Sequence, residues 1–119
     1  MLFLIELDHV KSGQPVTPEQ GRAFIEQVIL PTLARAEKLT AEKKIVASGA
    51  VAGRISLRFI VEVNSPQEAD KLISNLPIWP LAESKVTRIV SIGDRRESVK
   101  ALLESLDSRA QSSSSQQTA

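Results

Sequence analysis

The chain has 119 residues, enough for one domain, and balances 15 basic against 14 acidic side chains for a net charge of +1. That balance lacks the one-sided basic excess of a nucleic-acid footprint, and Phe3, Phe24, Phe59 and Trp79 are too few aromatics for a base-stacking platform. The absence of cysteine excludes disulfides, thiolate nucleophiles and Cys-based metal sites, so the cytosol is the expected compartment.

Met1–Val10 reads as an opening strand. Phe3, Ile5 and Leu7 form an apolar face, and Leu2, Leu4, Glu6 and Asp8 fall on the other. Glu6 and Asp8 break the apolar run Met1–Ile5, and no basic region precedes it, so neither a signal peptide nor a membrane span is expected. Lys11–Val16, with Gly13 and Pro15, reads as a loop.

Thr17-Pro18-Glu19-Gln20 carries a helix start: a hydroxyl cap, proline at the first helical position and Gln20 to complete a capping box. Ile25, Val28, Ile29, Thr32, Leu33 and Ala36 continue as a mostly apolar stripe to about Glu42 or Lys43. Pro31 removes a backbone donor inside this run and predicts a kink or two helical pieces.

Lys44–Ala52 reads as a second strand rich in small residues, Gly53 as a turn, and Arg54–Val63 as a third strand. Ile55, Leu57, Phe59, Val61 and Val63 lie on one face of that strand; Arg54, Ser56, Arg58, Ile60 and Glu62 lie on the other. Asn64-Ser65-Pro66-Gln67-Glu68 predicts a second capping box, followed by a short helix with Ala69, Leu72, Ile73 and Leu76 inward. Leu76-Pro77-Ile78-Trp79-Pro80 must leave that helix, each proline biasing its predecessor toward extended backbone. Lys85–Ile92 reads as a fourth strand ended by Gly93. A final helix starts at Asp94 or Ser98, with Val99, Leu102, Leu103 and Leu106 on one stripe. The Ser/Gln-rich 111–119 segment has too little apolar surface to order itself. The expected division is therefore a domain over 1–93, a helix over 94–110 and a tail over 111–119.

The order β-α-β-β-α-β is the ferredoxin-like α+β pattern, a four-stranded antiparallel sheet with both crossover helices on one face. Strands one and three become central neighbours, so Glu6 and Asp8 can face Arg54 and Arg58 across the sheet. The outer face mixes these charges with Leu2, Leu4 and Ile60, and with the final apolar stripe it predicts a homodimer closing an α+β barrel, and oligomers built from such dimers.

Leu76-Pro77-Ile78-Trp79-Pro80-Leu81 resembles the Leu-Pro-Leu-Phe-Pro-Tyr segment of muconolactone isomerases. Met1-Leu2-Phe3 with Asp8, the strand ending in Val63 and the strand containing Val86-Thr87 extend the resemblance over roughly residues 1–92. The resemblance implies a ferredoxin-like fold, oligomerisation, a pocket associated with the sheet face, and cofactor-free proton transfer that moves a double bond in a small unsaturated lactone. The family pattern places a His and an Arg where this chain has Leu4 and Glu6, and the loop after strand one also differs.

The candidate acid/base residues are Glu6, Asp8 and His9. A carboxylate in a partly apolar interior can act as a base, and His9 is the sole imidazole. Arg54 and Arg58 could hold a ligand carboxylate through forked hydrogen bonds, and Trp79 could wall a pocket. The competing reading makes the charges interior salt bridges and Trp79 packing or interface. One His without Cys supports no metal site, and no phosphate-binding glycine motif is present. Three functions remain in view: cofactor-free isomerisation of a small apolar or carboxylated ligand, a non-catalytic ligand-binding or assembly module, and a cofactor-free monooxygenase.

Overall fold

The computed structural model describes residues 1–10 and 15–118, with side chains through Gln111; most of the expected 11–16 loop lies outside the described residues. Two compact units result, Met1–Ile89 and Val90–Ala119.

In the first unit, strand β1 (Leu2–His9) leads into a helical run made of α1 (Pro18–Phe24), a π-helical turn (Ile25–Ile29) and α2 (Leu30–Ala41). The capping box forms as its residue types dictate. Thr17 Oγ1 accepts from the Gln20 amide at 3.2 Å, and Gln20 Oε1 accepts from the Thr17 amide at 3.3 Å. Pro31 cannot continue the α-helical ladder. The run meets this with a wider turn just upstream, in which the Leu30 amide reaches the Ile25 carbonyl, so two α-helical pieces flank a π turn.

Helix α2 ends in a Schellman motif: the Lys44 amide donates to the Leu39 carbonyl and the Lys43 amide to the Thr40 carbonyl. Lys43 occupies the left-handed position, at φ 63°, that glycine usually fills. Strands β2 (Ile45–Ala50) and β3 (Ser56–Glu62) follow. They are shorter than the sequence suggests because the turn between them takes residues from both ends. The Arg54 amide donates to the Val51 carbonyl at 3.3 Å and Gly53 sits at φ 74°, where the turn demands positive φ. Arg54 is therefore a turn residue, not a strand residue.

Helix α3 (Pro66–Ser74) is capped by Ser65, whose Oγ accepts from the Glu68 amide at 3.1 Å. Glu68 reaches back to the Asn64 amide instead of the cap residue's own. The proline segment then forms a 3₁₀ turn over Trp79–Leu81, so Trp79, the residue before Pro80, is helical rather than extended. Strand β4 covers Ala82–Ile89, beginning and ending three residues before the expected Lys85–Ile92. Its first residues are held by pairing with β1, His9 opposite Ala82 and Asp8 opposite Glu83, which no hydrophobic alternation announces.

The sheet order is β2-β3-β1-β4, antiparallel throughout. A bulge between Ile45 and Ala47 interrupts the β2–β3 register. The apolar odd positions meet the helices: Phe3, Ile5, Leu7, Phe59, Val61 and Val63 are buried together with Ala69, Leu72, Ile73 and Leu76. Ile5, Leu7, Ile73 and Leu76 are essentially inaccessible, and such burial contributes about 1.5–3 kcal/mol per large aliphatic side chain. Ile78, not Trp79, fills the core from the proline segment; Trp79 is 38% exposed. Thr32 ties this segment to α2, its buried Oγ1 accepting from the Ile78 amide at 3.2 Å.

The second unit is one helix, α4 (Ile92–Thr118). It begins before Asp94 because Ser91 Oγ accepts from the Asp94 amide at 3.0 Å. Its backbone continues as helix into the Ser/Gln-rich segment, where the sequence predicts a tail with nothing to bury. Val99, Leu102, Leu103 and Leu106 form an exposed apolar stripe, since a single helix cannot cover its own face. No helix among the described residues is long and apolar enough to cross a membrane.

Candidate functional site

The outer sheet face gathers the charges. Glu6 and Arg58 are directly opposite in register, and Asp8 faces Ser56. Arg58 serves both carboxylates: its Nη1 donates to Asp8 Oδ1 at 3.0 Å, and its Nε lies 3.4 Å from Glu6 Oε1. Arg54 approaches Asp8 more loosely, at 3.8 Å. The Ser56 hydroxyl, then the Arg58 guanidinium, hold the Asp8 carboxyl below the usual carboxylate range. A carboxylate stabilised in this way is a weak proton acceptor, so this cluster reads chemically as two anions neutralised by two cations.

A cavity of about 400 Å³ opens instead on the helical side, between the α1–π-turn–α2 run and the end of the sheet where β2 turns into β3. Phe24, Ile25, Ile29 and Leu33 wall it from the helices, and Ile55 and Leu57 from the sheet. This explains why Ile55 and Ile25, apolar and on the core-facing stripes, remain 40% and 50% exposed: the helical run stands off the sheet at this end. Arg54 and Ser56 also border it on the sheet side, the Ser56 hydroxyl itself being bonded to Asp8 on the outer face. Arg54 reaches the cavity from the turn that Gly53 makes possible. Glu6, Asp8, Arg58 and Trp79 do not line it.

His9 belongs to this side too. As an odd residue of β1 it shares the helix-facing set, and its ring packs against that of Phe24 with centroids 4.9 Å apart. Both ring nitrogens are buried, and neither has a hydrogen-bond partner among the described residues. A buried polar pair without partners is costly unless something else satisfies it. Of the six residues that the sequence singles out, the structure brings Glu6, Asp8, Arg58 and Arg54 into one ion-pair cluster; Arg54 alone of the six lines the cavity, and His9 packs behind it on the ring of Phe24. Trp79 stands apart from both. The lining residues Gly21, Phe24, Ile25 and Ile29 carry no reactive group that marks a site in the sequence; a glycine inside a strong helical pattern is the one available signal. Among the described residues, no three of His, Cys, Asp or Glu gather as metal ligands would.

A βαββαβ sheet with helices on one face, an ion-paired outer face and an apolar cavity on the helical side defines a ferredoxin-like α+β domain. The chain belongs to the muconolactone delta-isomerase family, whose model matches residues 1–92. The domain is similar to the crystal structure of a muconolactone isomerase, with a TM-score of 0.62 and 20% identity over 76% of this chain and 90% of that one. It is also similar to 5-chloro-2-hydroxyhydroquinone dehydrochlorinase from Burkholderia phenoliruptrix in complex with 2,5-dihydroxybenzoquinone, with a TM-score of 0.57 and 24% identity over 76% and 94%. At these identities the two structures establish the fold alone. No curated protein matches the chain in sequence.

Proposed function

We propose that this protein is a cofactor-free enzyme acting by proton transfer on a small, largely apolar, carboxylated ligand held in the helical-side cavity. The observation that carries the reading is an apolar cavity bordered by Arg54 and walled by Phe24, on whose ring the buried imidazole of His9, unpartnered among the described residues, is packed. Arg54 would receive the ligand carboxylate through forked hydrogen bonds. Its partner Asp8 is already served by Arg58, so it can turn to a ligand at little cost. His9 would carry the proton, imidazole being the side chain that exchanges one most readily near neutral pH. Family membership points to an unsaturated lactone as substrate class and to double-bond migration as the reaction.

The test is solvent exchange. Muconolactone incubated with the protein in D₂O should take up deuterium at the carbon that gains a proton, and His9→Gln and Arg54→Ala should each slow uptake at least about tenfold. No uptake above the uncatalysed rate refutes the enzymatic reading. It would favour a non-catalytic ligand-binding or assembly module, which the ion pairing of Glu6, Asp8 and Arg58 and the departures at Leu4 and Glu6 support. We also read the outer sheet face, where Leu2, Leu4 and Ile60 are only partly buried, as the surface on which a second copy packs to close a barrel. Light scattering tests this, and a monodisperse monomer excludes it.

A further inference from the structure

Gly21 occupies a position where glycine has no structural reason to be. It lies inside the helical run, its amide donating to the Thr17 carbonyl at 2.9 Å, and it is not among the residues with positive φ. Among the described residues nothing lies within 4 Å of the place a Cβ would occupy, so no neighbour requires its small size. Glycine is the worst helix former after proline at such a site.

A second benefit is forgone at the same position. Thr17 is the N-cap, so Val16 precedes the cap and Gly21 is the fourth helical residue, the pair that ordinarily forms a hydrophobic staple. Without a side chain at residue 21, Val16 is left 89% exposed. Helix propensity and capping therefore both ask for an apolar side chain here.

What Gly21 does have is a place in the cavity wall, one turn before Phe24 and Ile25. We infer that Gly21 is a specificity-determining residue: its missing side chain leaves the room that admits the larger ligands of the cavity. The inference rests on the reading of the cavity as a ligand site and says which wall sets the ligand's size. A methyl at residue 21 shortens the space, and a leucine at residue 21 fills it and staples Val16. Smaller ligands should survive the first change, whereas ligands of two fused rings should not survive the second.

The experiment compares the wild-type chain with Gly21→Ala and Gly21→Leu, using benzoate and 2-naphthoate as probes. Affinities come from calorimetric titration, the binding site from amide chemical shifts at Ala50, Ile55 and Leu57, and stability from thermal unfolding. Wild type should bind 2-naphthoate at these residues. Gly21→Ala should raise Tm by a few degrees, on the order of 4 °C, from helix propensity. Gly21→Ala should weaken 2-naphthoate about threefold and leave benzoate within twofold; Gly21→Leu should weaken 2-naphthoate at least about tenfold. Unchanged naphthoate affinity in Gly21→Leu overturns the inference while leaving the cavity reading intact. A fall in Tm of Gly21→Ala also overturns it, because the glycine would then serve the fold. Failure of wild type to bind either probe at this cavity overturns the inference together with the ligand-site reading, a pattern distinct from the other two.

Discussion

Replacing Thr32 by Val should destabilise the domain by about 1–2 kcal/mol. The change is nearly isosteric, and Thr32 is buried, so little volume is lost or gained. What disappears is the acceptor for the Ile78 amide, 3.2 Å away and buried with it. A buried donor left unpaired costs about 1–3 kcal/mol, partly offset by the gain of a buried methyl for a hydroxyl. Urea unfolding followed by circular dichroism should show a lower midpoint at unchanged slope, since the surface exposed on unfolding is the same. Amide hydrogen exchange provides the site-specific readout. The Ile78 amide should lose protection in Thr32→Val and keep it in Thr32→Ser, which retains the acceptor. A loss below about 0.5 kcal/mol, or an Ile78 amide still protected in the valine variant, would refute the assignment of this bond as the tie between α2 and the proline segment.

Lys43→Gly should stabilise the protein by roughly 0.5–1 kcal/mol, because it removes the steric cost of a Cβ at φ 63° from the Schellman motif; chemical denaturation measures the gain. Thr17→Ala should cost about 0.5–2 kcal/mol through loss of the cap, also by chemical denaturation. Asp8 titrates below its ordinary range when folded, so its contribution is fully present above the unfolded value and is lost as pH falls through the folded one. Stability measured from pH 5 downward should therefore decline below about pH 4, and Asp8→Asn should flatten that decline. A curve of the same steepness in the variant would mean that Asp8 is not one of the groups responsible.

The features legible in the sequence are those that neighbouring residues specify. Thr17 and Gln20, Ser65 and Glu68, Gly53 and the alternation of β1 and β3 act over a few positions, and each predicts its element. Glu6 opposite Arg58 was legible too, because the topology fixes which strands are neighbours. The start of the fourth strand is not legible because Ala82-Glu83-Ser84 carries no apolar period; only pairing with β1 makes it a strand. Ile78 and Trp79 are adjacent, and which of them turns inward depends on the Thr32 bond from 46 residues away. The cavity was hidden for the same reason. Gly21 and Ile55 meet nowhere in the sequence, and the stand-off between helix and sheet arises from the fit of a whole helical run interrupted by its π turn.

The two open margins of the sheet differ from its faces in what they permit. On one side β2 is bulged between Ile45 and Ala47, so its free hydrogen-bonding groups do not run in a straight unbroken row. On the other, β4 sets Glu83, Lys85 and Arg88 along an exposed strand. Both devices discourage a further strand from adding to the margin. Growth by strand addition into ribbons or fibrils is therefore disfavoured at each end.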